Sequence, residues 1–204
     1  MRRRISNGLL RSALEYAERG IPVFPCHHPA IDWAPGRWSS FDCSCQQLGC
    51  PHPGEHPRSQ RWREEATTEP LRIERWWGRH PEANVGLVTG VVFDVLDVPG
   101  AAGVAGIPQP TTSAGPAART GSGRWHFFVA RTGLADAAVP GQSGYGPRTH
   151  LHWHGRGGYV LAAPSRHPNG SATRWVRSLD LPLPPAPLLQ PVMAMRAPEP
   201  ARLG

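Results

Sequence analysis

The sequence predicts an α+β domain in which short strands are mixed with two main helices. Two stretches place apolar residues every three or four positions, which is the spacing of an amphipathic helix. Several others are short apolar runs bounded by glycine, proline or polar residues, which is typical of strands. The 204 residues suit one domain, and 23 glycines with 24 prolines indicate that much of it forms loops.

The predicted N-terminal elements are a helix, a strand and a long irregular segment. The helix covers residues 9–17, and Gly20 suits the position after its end. A strand over Ile21–Phe24 follows. Residues 26–60 have no periodicity but many prolines, cysteines and histidines, so we expect an irregular insertion there.

The second helix is predicted over Pro70–Trp77, because a Thr-Thr-Glu-Pro sequence opens it and favours a helix start. We expect Leu71, Trp76 and Trp77 to pack against the sheet. Residues 98–118 are predicted as loop because they are rich in glycine, alanine and proline. The remaining strands are predicted over Asn84–Val88, Val91–Val98, Trp125–Ala130, His150–His154, Gly158–Ala163 and Thr173–Val176.

The positive charge lies in the C-terminal part of the chain. All 22 basic residues are arginine. Residues 1–97 hold 12 arginines and 12 acids, whereas residues 98–204 hold 10 arginines against Asp136, Asp180 and Glu199, which is a net charge of 10 − 3 = +7. Guanidinium groups bind phosphate through two hydrogen bonds, so this asymmetry indicates a phosphate-bearing partner.

We divide the chain into a domain over residues 1–180, which includes the insertion at 26–60, and a proline-rich tail over 181–204. The tail composition favours an extended or disordered segment. No apolar run is long enough to span a bilayer, and no apolar segment follows the basic N-terminus MRRRIS, so we expect a cytoplasmic protein. A lysine-dependent phosphate loop is excluded because the sequence contains no lysine.

A cysteine and histidine cluster lies inside the insertion, in the segment CSCQQLGCPHPGEHP. In a cytosolic protein such spacing favours a metal site over disulfides. We predict a structural zinc ion held by Cys43, Cys45, Cys50 and His56, with His52 as an alternative to His56. Further ligands are available from Cys26, His27 and His28. The competing interpretation is a reduced loop without metal.

Three segments carry a resemblance to a known family. They are EATTEPLRIERWWGRHPEANVGLVTG at residues 65–90, ARTGSGRWHFFVA at 118–130 and HGRGGYVLAAPSRHPNG at 154–170. In this order and spacing they resemble the bifunctional DNA primase/polymerase (prim-pol) family of the archaeo-eukaryotic primase superfamily. The resemblance covers roughly residues 10–175.

The resemblance implies a primase-type sheet, similar to that of an RNA-recognition motif, flanked by helices and carrying the active cleft. It implies template-directed nucleotidyl transfer from (d)NTPs in DNA replication, with Mg²⁺ or Mn²⁺ as cofactor. The implied partners are a (d)NTP and single-stranded or primed DNA. An alternative is a catalytically inactive relative that binds nucleotide or single-stranded nucleic acid.

The resemblance also implies catalytic residues. Asp94 and Asp97 correspond to the family's Asp-x-Asp/Glu pair, and His126 to the histidine that contacts the triphosphate. The two aspartates are three positions apart, so on a regular strand they point to opposite faces unless the strand ends or bulges between them. The family's third acid aligns with His152, and no Asp or Glu lies between residues 137 and 179.

The remaining candidate residues are expected to bind phosphate. Arg124 shares a strand face with His126, and the turn before it offers polar groups and backbone N–H donors. Histidines at 150, 152 and 154 lie at strand spacing, either as a metal or phosphate site or as a polar sheet face. The predicted nucleotide- and phosphate-binding residues are Arg119, Ser122, Arg124, His152, Arg156, Ser165, Arg166 and His167.

Overall fold

The structure is a computed structural model of the chain, and it describes residues 8–30, 42–100, 114–138 and 151–186. Three helices and nine strands lie within these ranges, so the predicted α+β fold is confirmed. The helices are α1 (Gly8–Glu18), α2 (Trp62–Glu65) and α3 (Pro70–Arg79). The strands are β1 (Val23–Cys26), β2 (Asn84–Val88), β3 (Phe93–Val98), β4 (Ala117–Arg119), β5 (Trp125–Ala130), β6 (Ala137–Ala138), β7 (His152–His154), β8 (Tyr159–Leu161) and β9 (Arg174–Arg177).

The strands form two antiparallel sheets. The smaller sheet has the order β1-β2-β8, and the larger has the order β6-β7-β3-β5-β4-β9. Strand β3 pairs with β5 along its whole length on one side and with β7 on the other. It therefore has a neighbour at each edge, and side chains from three strands meet on each of its faces.

One apolar core joins the two sheets to α1 and α3. The two helices contact each other, and both contact β1, while α1 also contacts β2. Alternate residues of β3 face this core, namely Phe93 and Val95, which are 1% and 0% exposed. The next residue on the same face is Asp97, so the strand leads from the core to a charged position.

The ends and faces of the two longer helices follow from their sequences. Gly20 adopts a φ of 73°, and its N–H donates to the Ala17 carbonyl at 2.9 Å, which ends α1 in a left-handed turn. In α3, Ile73 and Trp77 are buried one helical turn apart. Leu71 was expected to pack against the sheet, but it is 67% exposed because it lies outside the Ile73–Trp77 stripe.

Several short elements differ from the prediction. Strand β1 begins at Val23, and α2, β4 and β6 carry too few patterned residues to be recognised in the sequence. Strand β7 begins at His152, and His150 lies outside the described residues. So do 101–113 of the predicted loop and 187–204 of the predicted tail. In the described part of the chain, no helix has the length and apolar character needed to cross a membrane.

Candidate functional site

A cavity of about 400 Å³ opens where the two sheets meet the cysteine- and histidine-containing loop. Its wall includes Asp97 from β3 and Tyr159 from β8, together with His56 from the loop. Seven of the residues predicted to be catalytic or to bind phosphate line it: Asp97, Ser122, Arg124, His126, His152, Arg166 and His167. The chain therefore gathers residues from four separate segments around one space.

Strand register explains why the polar groups meet. Asp97 lies directly opposite His126 of β5 and, on its other side, opposite His152 of β7. Residues directly opposite each other in an antiparallel sheet project from the same face. His154, two positions after His152, shares that face as well. One carboxylate and three imidazoles thus project into the cavity from three adjacent strands.

The Asp97 carboxylate is held by positive and polar neighbours. The Arg124 Nε donates to its two oxygens at 2.7 and 2.8 Å. The Nε2 atoms of His126 and His154 lie 3.9 and 3.8 Å from it. Burial raises the pKa of Asp97, but the nearby His154 imidazole and the charges of His126 and Arg124 outweigh burial and hold the pKa at about 2. Asp97 is therefore ionised at neutral pH.

A second carboxylate, Asp136, enters the same cavity and was not identified from the sequence. It immediately precedes β6, and its two oxygens lie 3.0 Å from His152 Nε2 and 3.0 Å from His154 Nδ1. Burial raises its pKa, but hydrogen bonds from the two histidines outweigh burial and keep the pKa well below the usual range. His154 thus lies between Asp97 and Asp136, with one ring nitrogen toward each.

No local sequence signal marks Asp136, because long-range pairing brings it to the site. The Asp136 N–H donates to the Arg156 carbonyl at 3.2 Å, and β6 pairs with β7. A Cβ atom at Gly158 would collide with the Asp136 carboxylate. The glycine pair in the HGRGGY segment therefore leaves the space that this carboxylate occupies.

The two inner histidines have opposite protonation preferences. The His126 side chain is 8% exposed, and its Nδ1 is buried with no hydrogen-bond partner among the described residues. Burial lowers the pKa of His126 to about 4, so its imidazole is neutral at neutral pH. Burial also lowers the pKa of His154, but its hydrogen bond to Asp136 and the nearby Asp97 carboxylate outweigh burial and raise the pKa above the usual value.

The cavity contains two groups of side chains that fit a divalent cation. One group is Asp97, His126 and His154, and the other is Asp136, His152 and His154. Within each group the potential ligand atoms lie within 4.8 Å of one another. Carboxylate with imidazole suits Mn²⁺ better than Mg²⁺, which prefers oxygen ligands. These carboxylate and imidazole ligands therefore fit Mn²⁺, one of the two cofactors implied by the resemblance.

Asp94 lies on the opposite face of β3 from Asp97. The strand continues through both residues in regular register, without an end or a bulge between them. The Asp94 carboxylate accepts hydrogen bonds from the Thr132 N–H and hydroxyl at 2.7 and 2.6 Å. The two aspartates that the resemblance pairs are not brought together, and Asp94 does not line the cavity.

Three other predicted phosphate ligands also lie outside the cavity wall. The Arg119 guanidinium lies 5.1 Å from the centre of the Trp125 ring, on the face opposite His126. The Ser165 hydroxyl accepts from the Val85 N–H at 2.9 Å, which joins a turn to β2. Arg156 is exposed in the turn after β7. We do not include these three residues in the site.

The cysteine and histidine loop brings together the four ligands predicted for zinc. The side chains of Cys43, Cys45, Cys50 and His56 offer ligand atoms within 4.8 Å of one another. The His56 Nε2 lies 3.4 Å from Cys43 Sγ and 3.5 Å from Cys50 Sγ. Corners occupied by sulfur and nitrogen around tetrahedral zinc are about 3.6 Å apart. The cluster can therefore bind a metal, whereas His52 lines the cavity.

Comparison with known families places the chain. The family model "Bifunctional DNA primase/polymerase, N-terminal" (Prim-Pol) matches residues 13–189, which contain both sheets, the cavity and the cysteine and histidine loop. No curated protein sequence matches the chain.

Proposed function

The chain belongs to the bifunctional DNA primase/polymerase family, and from this premise we propose that its cavity transfers nucleotides from a bound (d)NTP to DNA. The reaction attaches the α-phosphate of the nucleotide to a DNA 3′-hydroxyl, with pyrophosphate as the leaving group. Function at the level of a primase/polymerase-like domain follows from the family. The template-directed reaction and its role in DNA replication are our proposal.

The observation that carries the proposal is that two carboxylates, Asp97 and Asp136, line one cavity. Nucleotidyl transfer requires carboxylates that hold divalent cations against phosphate. The sequence offers His152 where the family carries its third acid, and Asp136 lies 3.0 Å from that histidine. We infer that Asp136, from a different strand, takes the role of the missing acid.

A divalent cation, Mn²⁺ in preference to Mg²⁺, would neutralise phosphate charge between these side chains. Asp97 and Asp136 would hold the cation together with the imidazoles of His126, His152 and His154. These five residues make up the two groups whose ligand atoms lie within 4.8 Å of one another. The structural zinc that we propose at the Cys43 cluster is separate, because its four protein ligands leave no open position.

Other residues of the cavity would bind the nucleotide. His126 lines the cavity and its imidazole is neutral, so its Nε2, which lies on the Asp97 side, would serve either the cation or a phosphate oxygen. The turn before β5 is closed by a hydrogen bond from the Arg124 N–H to Thr120 Oγ1 at 2.9 Å. Arg166 and His167 also line the cavity, and His167 packs against Gly121 of this turn. We propose that the triphosphate binds on the cavity side of the turn, beside these two side chains.

A primer-extension assay tests the proposal. Purified protein with Mn²⁺, labelled dNTPs and a primed template should extend the primer, and Mg²⁺ should support less extension. Asp97→Asn and Asp136→Asn should each abolish extension. Asp180→Asn is the matched control, because it removes a carboxylate that faces solvent and pairs with Arg19. If both cavity variants extend the primer as well as the wild type, the assignment is wrong.

One observation favours the second candidate function, a nucleotide-binding relative without catalysis. Protein groups already neutralise both carboxylates: Arg124 binds Asp97, and His152 and His154 bind Asp136. A cation has to compete with these contacts. Nucleotide binding that requires His126 and Arg166, without extension in any divalent metal, would support this alternative and reject the first proposal.

A further inference from the structure

A second cavity, of about 210 Å³, lies on the other side of α2 from the candidate active site. It is formed by the end of β1, by α2 and by the C-terminal end of α3. Its wall includes Phe24, Arg58, Trp62, Trp76, Arg79 and His80, none of which lines the first cavity. Aromatic rings and guanidinium groups therefore meet around a space wide enough for a planar ring.

The solvent face of α3 continues this wall. Arg72 lies three residues before Arg75 and four before Trp76, and Arg79 lies three after Trp76, so the four share one helical face. We call this set the α3 row. Trp76 is half-buried, because part of its ring packs against the core. The opposite face holds Ile73 and Trp77, which are buried.

The α3 row presents unneutralised positive charge. In the part of the chain that the structure describes, its three arginines form no ion pair. Glu74 is the one acid within the ten residues of α3, against three arginines, and Glu65 is the acid on the cavity wall, against Arg58 and Arg79. Both the helix and the cavity are therefore positive.

Two further observations describe the surroundings of the second cavity. The Arg72 guanidinium lies over the Trp76 ring, 5.0 Å from its centre, in a cation–π contact that leaves the other ring face for a base. Burial, followed by the charges of Arg58 and Arg79, lowers the pKa of His80. Positive potential from two guanidinium groups thus acts on the inner part of this cavity.

We propose that the second cavity and the α3 row bind single-stranded DNA outside the active cleft. Arginines at helical spacing would contact successive phosphates, and an unpaired base would stack in the cavity against Trp76. Protein surfaces that bind single strands combine these two features, a positive path and aromatic platforms. A duplex does not fit as well, because its bases are stacked inside the helix.

The second cavity is connected to the first through α2. Trp62 lines the second cavity, and the guanidinium of its neighbour Arg63 lies 4.4 Å from the centre of the Trp62 ring. Arg63 lines the first cavity, where its Nε donates to the Gly157 carbonyl at 2.9 Å. A DNA strand bound along α3 would therefore continue across α2 toward the active cleft. Binding itself needs no metal or nucleotide; only the use of the strand as template rests on the proposed function.

Fluorescence anisotropy with a labelled oligothymidylate, without added divalent cations, tests the inference. Each phosphate contact with a single strand contributes about 0.7 to the slope of log affinity against log salt. The variant Arg72→Gln/Arg75→Gln/Arg79→Gln should therefore bind at least tenfold more weakly, with a slope reduced by about 2. The matched control Arg11→Gln/Arg131→Gln/Arg174→Gln removes the same charge from exposed positions elsewhere. An equal loss in both variants would overturn the inference.

Variants of Trp76 separate the contribution of base stacking to DNA binding from that of the arginine charges. Trp76→Ala should weaken oligothymidylate binding about tenfold, since stacking of one base contributes about that much, and Trp76→Phe should restore part of it. Thermal unfolding identifies any variant that fails to fold. Nucleotide binding in the first cavity should stay unchanged in the α3 row variant, so failure here is distinguishable from failure of the proposed function. Equal affinity for duplex and single-stranded DNA would overturn the inference.

Discussion

His154 is the residue on which the proposed active site depends. Its two ring nitrogens lie 3.8 Å from Asp97 and 3.0 Å from Asp136, so it spaces two carboxylates that would otherwise repel each other. Because its pKa is raised by these acids, a cation that binds them would displace a proton from His154. In the proposed site, the histidine would hold the two carboxylates in place until a cation binds them.

The two aspartates of β3 should behave differently when each is replaced. Asp97→Asn should abolish Mn²⁺ binding, whereas Asp94→Asn should retain it, since Asp94 faces away from the cavity. Asp94→Ala should lower the free energy of unfolding by about 1–3 kcal/mol, because the Thr132 N–H and hydroxyl lose their charged acceptor. Metal titration and chemical denaturation provide the measurements. Loss of Mn²⁺ binding in Asp94→Asn would show that Asp94 acts with Asp97 as a metal ligand, as the family resemblance implies.

Gly158 should be needed for the position of Asp136. Gly158→Ala places a methyl group against the Asp136 carboxylate, so we expect Mn²⁺ affinity to fall about tenfold while the fold is kept. Gly78→Ala is the matched control: nothing lies near its added methyl group, and in the last turn of α3 it should raise stability by less than about 1 kcal/mol. Titration of each variant with Mn²⁺ measures the effect. Unchanged affinity in Gly158→Ala would mean that Asp136 is not a ligand.

At the scale of elements, the cysteine and histidine loop forms a wall of the cavity and also holds the four side chains that can bind a metal. The Tyr159 hydroxyl donates to the Glu55 carbonyl at 2.9 Å, and the Asn84 side chain donates to the Gly54 carbonyl at 2.8 Å. His56 belongs to the cluster and also lines the cavity. Order in the loop and shape of the cavity are therefore coupled.

Removal of the metal from this loop should weaken nucleotide binding. Cys45→Ser replaces a partly exposed ligand, so we expect zinc content to fall from one ion per chain and nucleotide affinity to fall severalfold. Elemental analysis and nucleotide titration measure the two effects. Cys26→Ala is the thiol-matched control, because Cys26 is buried outside the cluster. A zinc-free variant with wild-type nucleotide affinity would show that the loop does not shape the cavity.

At the scale of the whole molecule, local patterns predicted elements well and the site only in part. The strand over Trp125–Ala130 and the bounds of β2 agree with the structure, because alternation and flanking turns fix them within a few residues. The proximity of Cys43, Cys45, Cys50 and His56 could be predicted because all four lie in one short segment; zinc as their metal stays a prediction.

Features that depend on distant pairing were not predictable. Asp136 reaches the cavity through β6, a strand of two residues that carries no pattern of its own. Asp94 was grouped with Asp97 by resemblance, although strand alternation already indicated that the two point apart. The α3 row was not identified from the sequence, because the predicted helix stopped at Trp77, before Arg79, and because its proposed role depends on a cavity that three separate segments form.

Pulsed electron paramagnetic resonance of Mn²⁺ bound to the protein with a nucleotide tests the central claim most directly. If Mn²⁺ binds among Asp97, Asp136 and the cavity histidines, the spectrum will contain nitrogen couplings from imidazole ligands, and Asp97→Asn and Asp136→Asn will each remove or alter them. A bound Mn²⁺ with oxygen ligands alone, or one whose spectrum is the same in both variants, would contradict the account.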